Sequence, residues 1–156
     1  MTERFDLTKL NIPYGVLHDQ KLNSVILENN KMIFTFDINI FEQNYYDKDF
    51  FDKYSAFKHC DMVVELCEEA FNYFEFSTAF NKYDKKETIC LDADDFIDII
   101  NHTDQSEFID CYVSHRSFKI ELGINYYNTQ QKYKKFKKYA ICNIELDARS
   151  VVWNWY

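Results

Sequence analysis

Apolar residues recur at every second position through much of this chain, and that period dictates extended strands rather than helices. The clearest run is 32–40, where Met32, Phe34, Phe36, Ile38 and Ile40 share one face. Thr35, Asp37 and Asn39 take the other face with Ile33 as its only apolar member, so one side is predicted to be covered and the other wet. Upstream, Leu22, Ser24, Ile26 and Glu28 alternate with Asn23, Val25, Leu27 and Asn29. Both runs are rich in β-branched and aromatic residues. Between them Asn29-Asn30 tolerates the positive φ that a tight turn demands. The pattern predicts a hairpin over 22–40 that leads an antiparallel sheet.

Further runs extend that sheet. Residues 60–67 predict a strand with Met62, Val64 and Leu66 on one face, 69–80 a strand in competition with a helix, and 88–91 a short extended piece. A second hairpin is predicted from 107–113 and 118–124, with Phe118, Ile120, Leu122 and Ile124 pointing one way. Residues 139–147 carry Cys142, Ile144 and Leu146 in register, and the tail 151–156 predicts one more strand. Residues 1–16 read as a short arm with a turn at Pro13-Tyr14-Gly15. Residues 41–54 read as irregular, because their helix propensity is weak. One helix is predicted, over 92–101: Asp92 is placed to cap it, Asp94 and Asp95 complement its positive end, and Phe96, Ile97, Ile99 and Ile100 form its stripe. No repeat or linker divides the chain. The expected fold is therefore a single α+β domain over 1–156, a mainly antiparallel sheet built from hairpins with one or two helices packed on one face.

Composition narrows the chemistry. With 156 residues and 47% hydrophobic content the chain is long and apolar enough to bury a core, which excludes a disordered segment. Two glycines and one proline exclude a glycine-rich phosphate loop and leave turns to Asn, Asp, Ser and Lys. Cys60, Cys67, Cys90, Cys111 and Cys142 are odd in number and form no CxxC pair, so free reduced thiols are expected rather than a disulfide framework or zinc ribbon. No stretch approaches the roughly 18 apolar residues of a membrane span. The stretch from Met1 to Leu7 carries acids in place of an apolar signal core, so a cytoplasmic protein is expected.

Charge changes the picture most. The net charge is −8, from 26 acids and 18 bases. Five bases stand together as Lys132, Lys134, Lys135, Lys137 and Lys138, and outside that window acids outnumber bases two to one. The lysines interleave with Tyr133 and Phe136 as in single-strand binders, yet so short a run in so acidic a chain reads as a solvated loop or a protected sheet edge. Pairing of that run with the acidic face of a second copy makes a homo-oligomer the alternative. A field of this sign repels nucleic acid and anionic membranes and suits a basic protein partner. Asp47, Asp49 and Asp52 beside Tyr45 and Tyr46 are the predicted contact residues, since rings set among acids make binding hot spots.

Candidate catalytic groups are few. His18-Asp19 precedes the first hairpin strand and is read as hydrogen-bonding the turn. His59 and Asp61 share a strand face near Glu65, without the paired spacing of a zinc site. A calcium loop starting at Asp92 would need glycine where Ile97 stands. Ser114-His115-Arg116-Ser117 lacks a nucleophile elbow and its glycines. No catalytic residue, metal or cofactor is therefore assigned. The rival to a binding protein is a small enzyme or ligand-binding domain whose site gathers His18, Asp19, His59 and Asp61.

Leu17-His18-Asp19, followed by Leu22, Val25 and Ile26, then Asn29-Asn30 and Ile33-Phe34-Thr35-Phe36, resembles the opening of small uncharacterised bacterial domains and of immunity proteins from polymorphic toxin systems. The resemblance covers residues 17–36 and carries over no site residue. Together with the acidic, aromatic-rich composition and the absence of a catalytic motif, it implies a non-enzymatic intracellular binding protein, an immunity protein that neutralises a basic toxin domain.

Overall fold

The computed structural model describes residues 1–7, 17–40, 48–68, 72–78, 88–103, 105–114, 117–126 and 138–156. Among them lie nine strands, in chain order β1 Thr2–Asp6, β2 Lys21–Glu28, β3 Lys31–Asp37, β4 His59–Leu66, β5 Tyr73–Thr78, β6 Thr88–Leu91, β7 Gln105–Ser114, β8 Ser117–Tyr126 and β9 Lys138–Trp155. The helices are α1 Lys48–Tyr54 and α2 Ala93–Asn101. Every strand pairing is antiparallel. The strands run β4-β3-β2-β7-β8-β9, and β9 pairs back onto β4, so the expected sheet closes into a six-stranded barrel. No helix among the described residues is long and apolar enough to cross a membrane.

Closure depends on β9. Its 18 residues pair twice over: the first half lies between β8 and β5, and the second half meets β4 and β1. The alternation seen in sequence breaks near residue 149, which suggested two strands. A register shift opposite Glu65 and Leu66 absorbs that break instead. Ala140, Cys142, Ile144, Leu146 and Ala148 face inward before it, and Val151, Trp153 and Trp155 after it. One continuous strand is the result.

The leading hairpin forms as its sequence dictates. Asn29 and Asn30 adopt φ of 50° and 58°, the left-handed values a two-residue turn requires. Met32, Phe34, Phe36 and Ile38 are buried, and Phe36 meets Phe108 of β7 edge-on at 5.6 Å across the interior. In β2 the strict alternation fails: a register shift between Leu22 and Ser24 turns both Leu22 and Val25 inward. Ile26 and Leu27, towards the turn, stay exposed.

Two segments gain structure beyond their local propensity. Residues 2–6, expected as an arm, form β1 against β9, where Phe5 packs on Trp153 at 4.8 Å and the terminal ammonium donates to the Trp155 carbonyl at 2.7 Å. Residues 48–54, expected as irregular, form α1, because Tyr54 is buried against Trp155 at 4.8 Å and tertiary contact outweighs weak propensity. Glu3 ties these pieces together by accepting from Lys53 Nζ at 2.6 Å, from the Tyr54 hydroxyl at 3.2 Å and from Trp155 Nε1 at 2.9 Å. The Glu3 carboxylate raises the Lys53 ammonium to about 12.

α2 forms where predicted. Asp92 caps it by accepting from the Asp95 amide, Phe96, Ile99 and Ile100 are buried, and Phe96 stacks on Phe74 of β5 at 4.6 Å. It also completes the weakest seam of the barrel. The β2–β7 ladder consists of Lys21 with Glu107 and Leu22 with Ser106. Beyond it the Asn101 side chain accepts from the Val25 amide at 2.8 Å and donates to the Val25 carbonyl at 2.9 Å, standing in for a strand neighbour. The predicted turn at Pro13-Tyr14-Gly15, residues 41–47 of the 41–54 segment and the lysine run below Lys138 lie outside the described residues.

Candidate functional site

Strand register lays polar side chains in rows across the outer face of β6, β5, β9, β8 and β7. Cys90, Glu75, Asn143, Glu121 and Asp110 are successive cross-strand partners. Two residues along each strand, Tyr73, Glu145, Lys119 and Tyr112 form the neighbouring row. Partners on one face stand close enough to interact. Between the rows lies an open cleft of about 330 Å³, with Tyr73 at one rim and Tyr112 at the other. Three strand spacings of about 4.8 Å put those rims roughly 14 Å apart.

Most of the lining groups are held. Glu75 accepts from the Tyr73 hydroxyl at 3.0 Å, from Ser77 Oγ at 3.0 Å and from Asn143 Nδ2 at 3.4 Å. The Tyr73 hydroxyl also meets Cys90 Sγ at 3.3 Å, and these two contacts push its ionisation well above the ordinary value. Glu145 accepts from Ser117 Oγ at 2.7 Å and pairs with Lys119 Nζ at 3.1 Å, which together hold it below the usual carboxylate range. The neighbouring Asp110 carboxylate raises the ionisation of the Tyr112 hydroxyl above its ordinary value, and Tyr112 is 50% exposed. Glu121, part-buried in the cleft, makes no hydrogen bond or ion pair with any described residue. Among the described residues three glutamates thus face one lysine, and that lysine is already engaged.

The arrangement suits cation binding better than proton transfer. Among the described residues no histidine lines the cleft, and its serine neighbours donate to carboxylates instead of awaiting a base. No group of three or more His, Cys, Asp or Glu side chains among the described residues is placed to hold a metal ion.

The residues singled out by sequence fall elsewhere. Asp49 and Asp52 are exposed on α1, while Asp47, Tyr45 and Tyr46 lie outside the described residues. His18 and Asp19 sit at the β2–β7 seam: the His18 ring bonds the Ile109 carbonyl, and Asp19 holds φ at 61°. His59 pairs instead with Asp37 at 3.0 Å and packs on the Tyr156 ring at 5.4 Å. Asp61 accepts from Thr35 Oγ1 at 2.8 Å and from the Tyr156 hydroxyl at 3.2 Å. The structure therefore joins His59 and Asp61 to the outer face of β3 and β4, and gives His18 and Asp19 a separate set of partners. The five cysteines are free thiols, with Cys60, Cys111 and Cys142 buried and Cys90 exposed. No protein family, curated protein or solved structure was found to match the chain.

Proposed function

We propose that this chain is a non-enzymatic intracellular binding protein, acting as an immunity protein whose outer β5–β9–β8–β7 face receives a basic toxin domain. The cleft carries the reading: among the described residues, three glutamates against one engaged lysine, rimmed by Tyr73 and Tyr112. Tyrosines beside desolvated charge are favoured anchors of protein interfaces. Tyr112 stands on a barrel strand and Tyr73 on β5, which pairs along β9, and mounting on paired strands keeps the ordering cost of binding low. A net charge of −8, with Asp49 and Asp52 on α1 adding to it, extends attraction for a basic partner beyond the contact itself.

Deleting the gene from its own cells and growing them beside the parental strain tests this. The deletion strain should be killed or outgrown, and the intact chain should restore it. The triple variant Glu75→Lys, Glu121→Lys and Glu145→Lys should fold and fail to protect. A His59→Ala variant should protect as well as the intact chain. Equal fitness of the deletion strain, or protection by the triple variant, overturns the reading. Loss of protection in His59→Ala with a retained fold favours the rival site at His18, Asp19, His59 and Asp61.

A further inference from the structure

Within the cleft the carboxylates are unequal, and the inequality names a ligand group. Glu75 is satisfied by three donors, and Glu145 by Ser117 and Lys119. Glu121 is the acid left without a partner among the described residues. It stands between Asn143 on β9 and Asp110 on β7, so a cation that reaches it meets acid or amide groups on both flanks. A part-buried carboxylate gains from a charge-assisted partner that water replaces poorly.

We propose that the cleft is a receptor for one arginine side chain, with the guanidinium paired to Glu121 and flattened against Tyr112. The assignment rests on the reading that a basic protein docks on this face. Size is the first argument: about 330 Å³ lies at the small end of binding pockets, enough for one side chain and too little for a folded element. Shape is the second. A guanidinium is planar, offers paired donors to a carboxylate and stacks on a ring, whereas an ammonium is a compact, strongly hydrated point charge. Tyr112 supplies the half-exposed ring, paired across the strands with Lys119 and so diagonal to Glu121. Lys119 is the third argument: it already neutralises Glu145, so the cleft glutamate left unengaged among the described residues lies beside the aromatic rim.

Amide-resolved NMR titration of the whole chain with L-arginine amide, and separately with L-lysine amide, tests the assignment. Arginine amide should move the amides around Lys119–Glu121 and Asn143–Glu145 saturably, in the millimolar range, and should bind several-fold tighter than lysine amide. Glu121→Gln should weaken it about tenfold. Tyr112→Ala should weaken it and Tyr112→Phe should retain it, while Glu28→Gln, at the hairpin turn, should change nothing. Equal affinity for the two amides, or an unchanged affinity in Glu121→Gln, overturns the arginine assignment. Neither result touches the protection experiment, so a basic partner that docks here without an arginine in the cleft remains separable from no basic partner at all.

Discussion

Single residues in this molecule do work that their neighbours cannot take over. Phe36 is fully buried where the hairpin faces β7 and meets Phe108 edge-on. Truncating it removes a ring from a closed interior whose walls are tied by ladders and cannot collapse inward. Phe36→Ala should therefore cost about 3–5 kcal/mol in urea unfolding. Ile33→Ala, on the outer face of the same strand and only part-buried, should cost clearly less. Equal losses would mean that the two faces of β3 are not inside and outside. The face assignment was legible from sequence because Met32, Phe34, Phe36 and Ile38 keep an unbroken period of two. The cross-strand neighbours of Glu75 and Glu121 were not. A glutamate at an alternate strand position reads as a wet surface residue until register places Asn143 and Asp110 beside it.

At the scale of elements, strands and the capped helix were readable wherever local pattern and tertiary need agreed. The 92–101 helix and the Asn29-Asn30 turn are such cases, since cap, dipole, stripe and positive φ all act within a few residues. β1, α1 and the unity of β9 were hidden for one reason: each is fixed by a partner far along the chain. β1 needs residues 150–154, α1 needs Glu3 and Trp155, and β9 needs β4 to carry it across its register shift. Barrel closure was hidden likewise, because β2 and β7 pair over two residues before Asn101 takes over. That substitution makes a local prediction. Asn101→Ala leaves the Val25 amide and carbonyl without their partner, which should cost about 1–2 kcal/mol. Amide exchange at Val25 should accelerate more than exchange at Phe34, inside the β3–β4 ladder. Uniform acceleration through the sheet would show that Asn101 supports the fold globally and not this seam.

At the scale of the whole molecule, charge and contact separate into two measurable rates. A net charge of −8 attracts a basic domain from a distance, and salt screens that attraction over about 8 Å at physiological ionic strength. In the proposed complex, short-range contacts in the cleft would determine how long the pair stays together, with little dependence on salt. The acids predicted from sequence and those in the cleft then play different parts. Asp49 and Asp52 are exposed on α1, a separate element from the sheet face that holds Glu75, Glu121 and Glu145. Reversing Asp49 and Asp52 to Lys should slow association with the proposed basic partner and leave dissociation unchanged. Reversing the three cleft glutamates should slow association further and also speed dissociation, because a seated cation then faces its own sign. Surface-immobilised binding measured across a series of salt concentrations reads both rates. Association of the intact chain should fall steeply as salt rises, while its dissociation changes little. A dissociation rate indifferent to the cleft substitutions, but raised by those on α1, would move the contact to α1 and restore Asp49 and Asp52 as the binding residues.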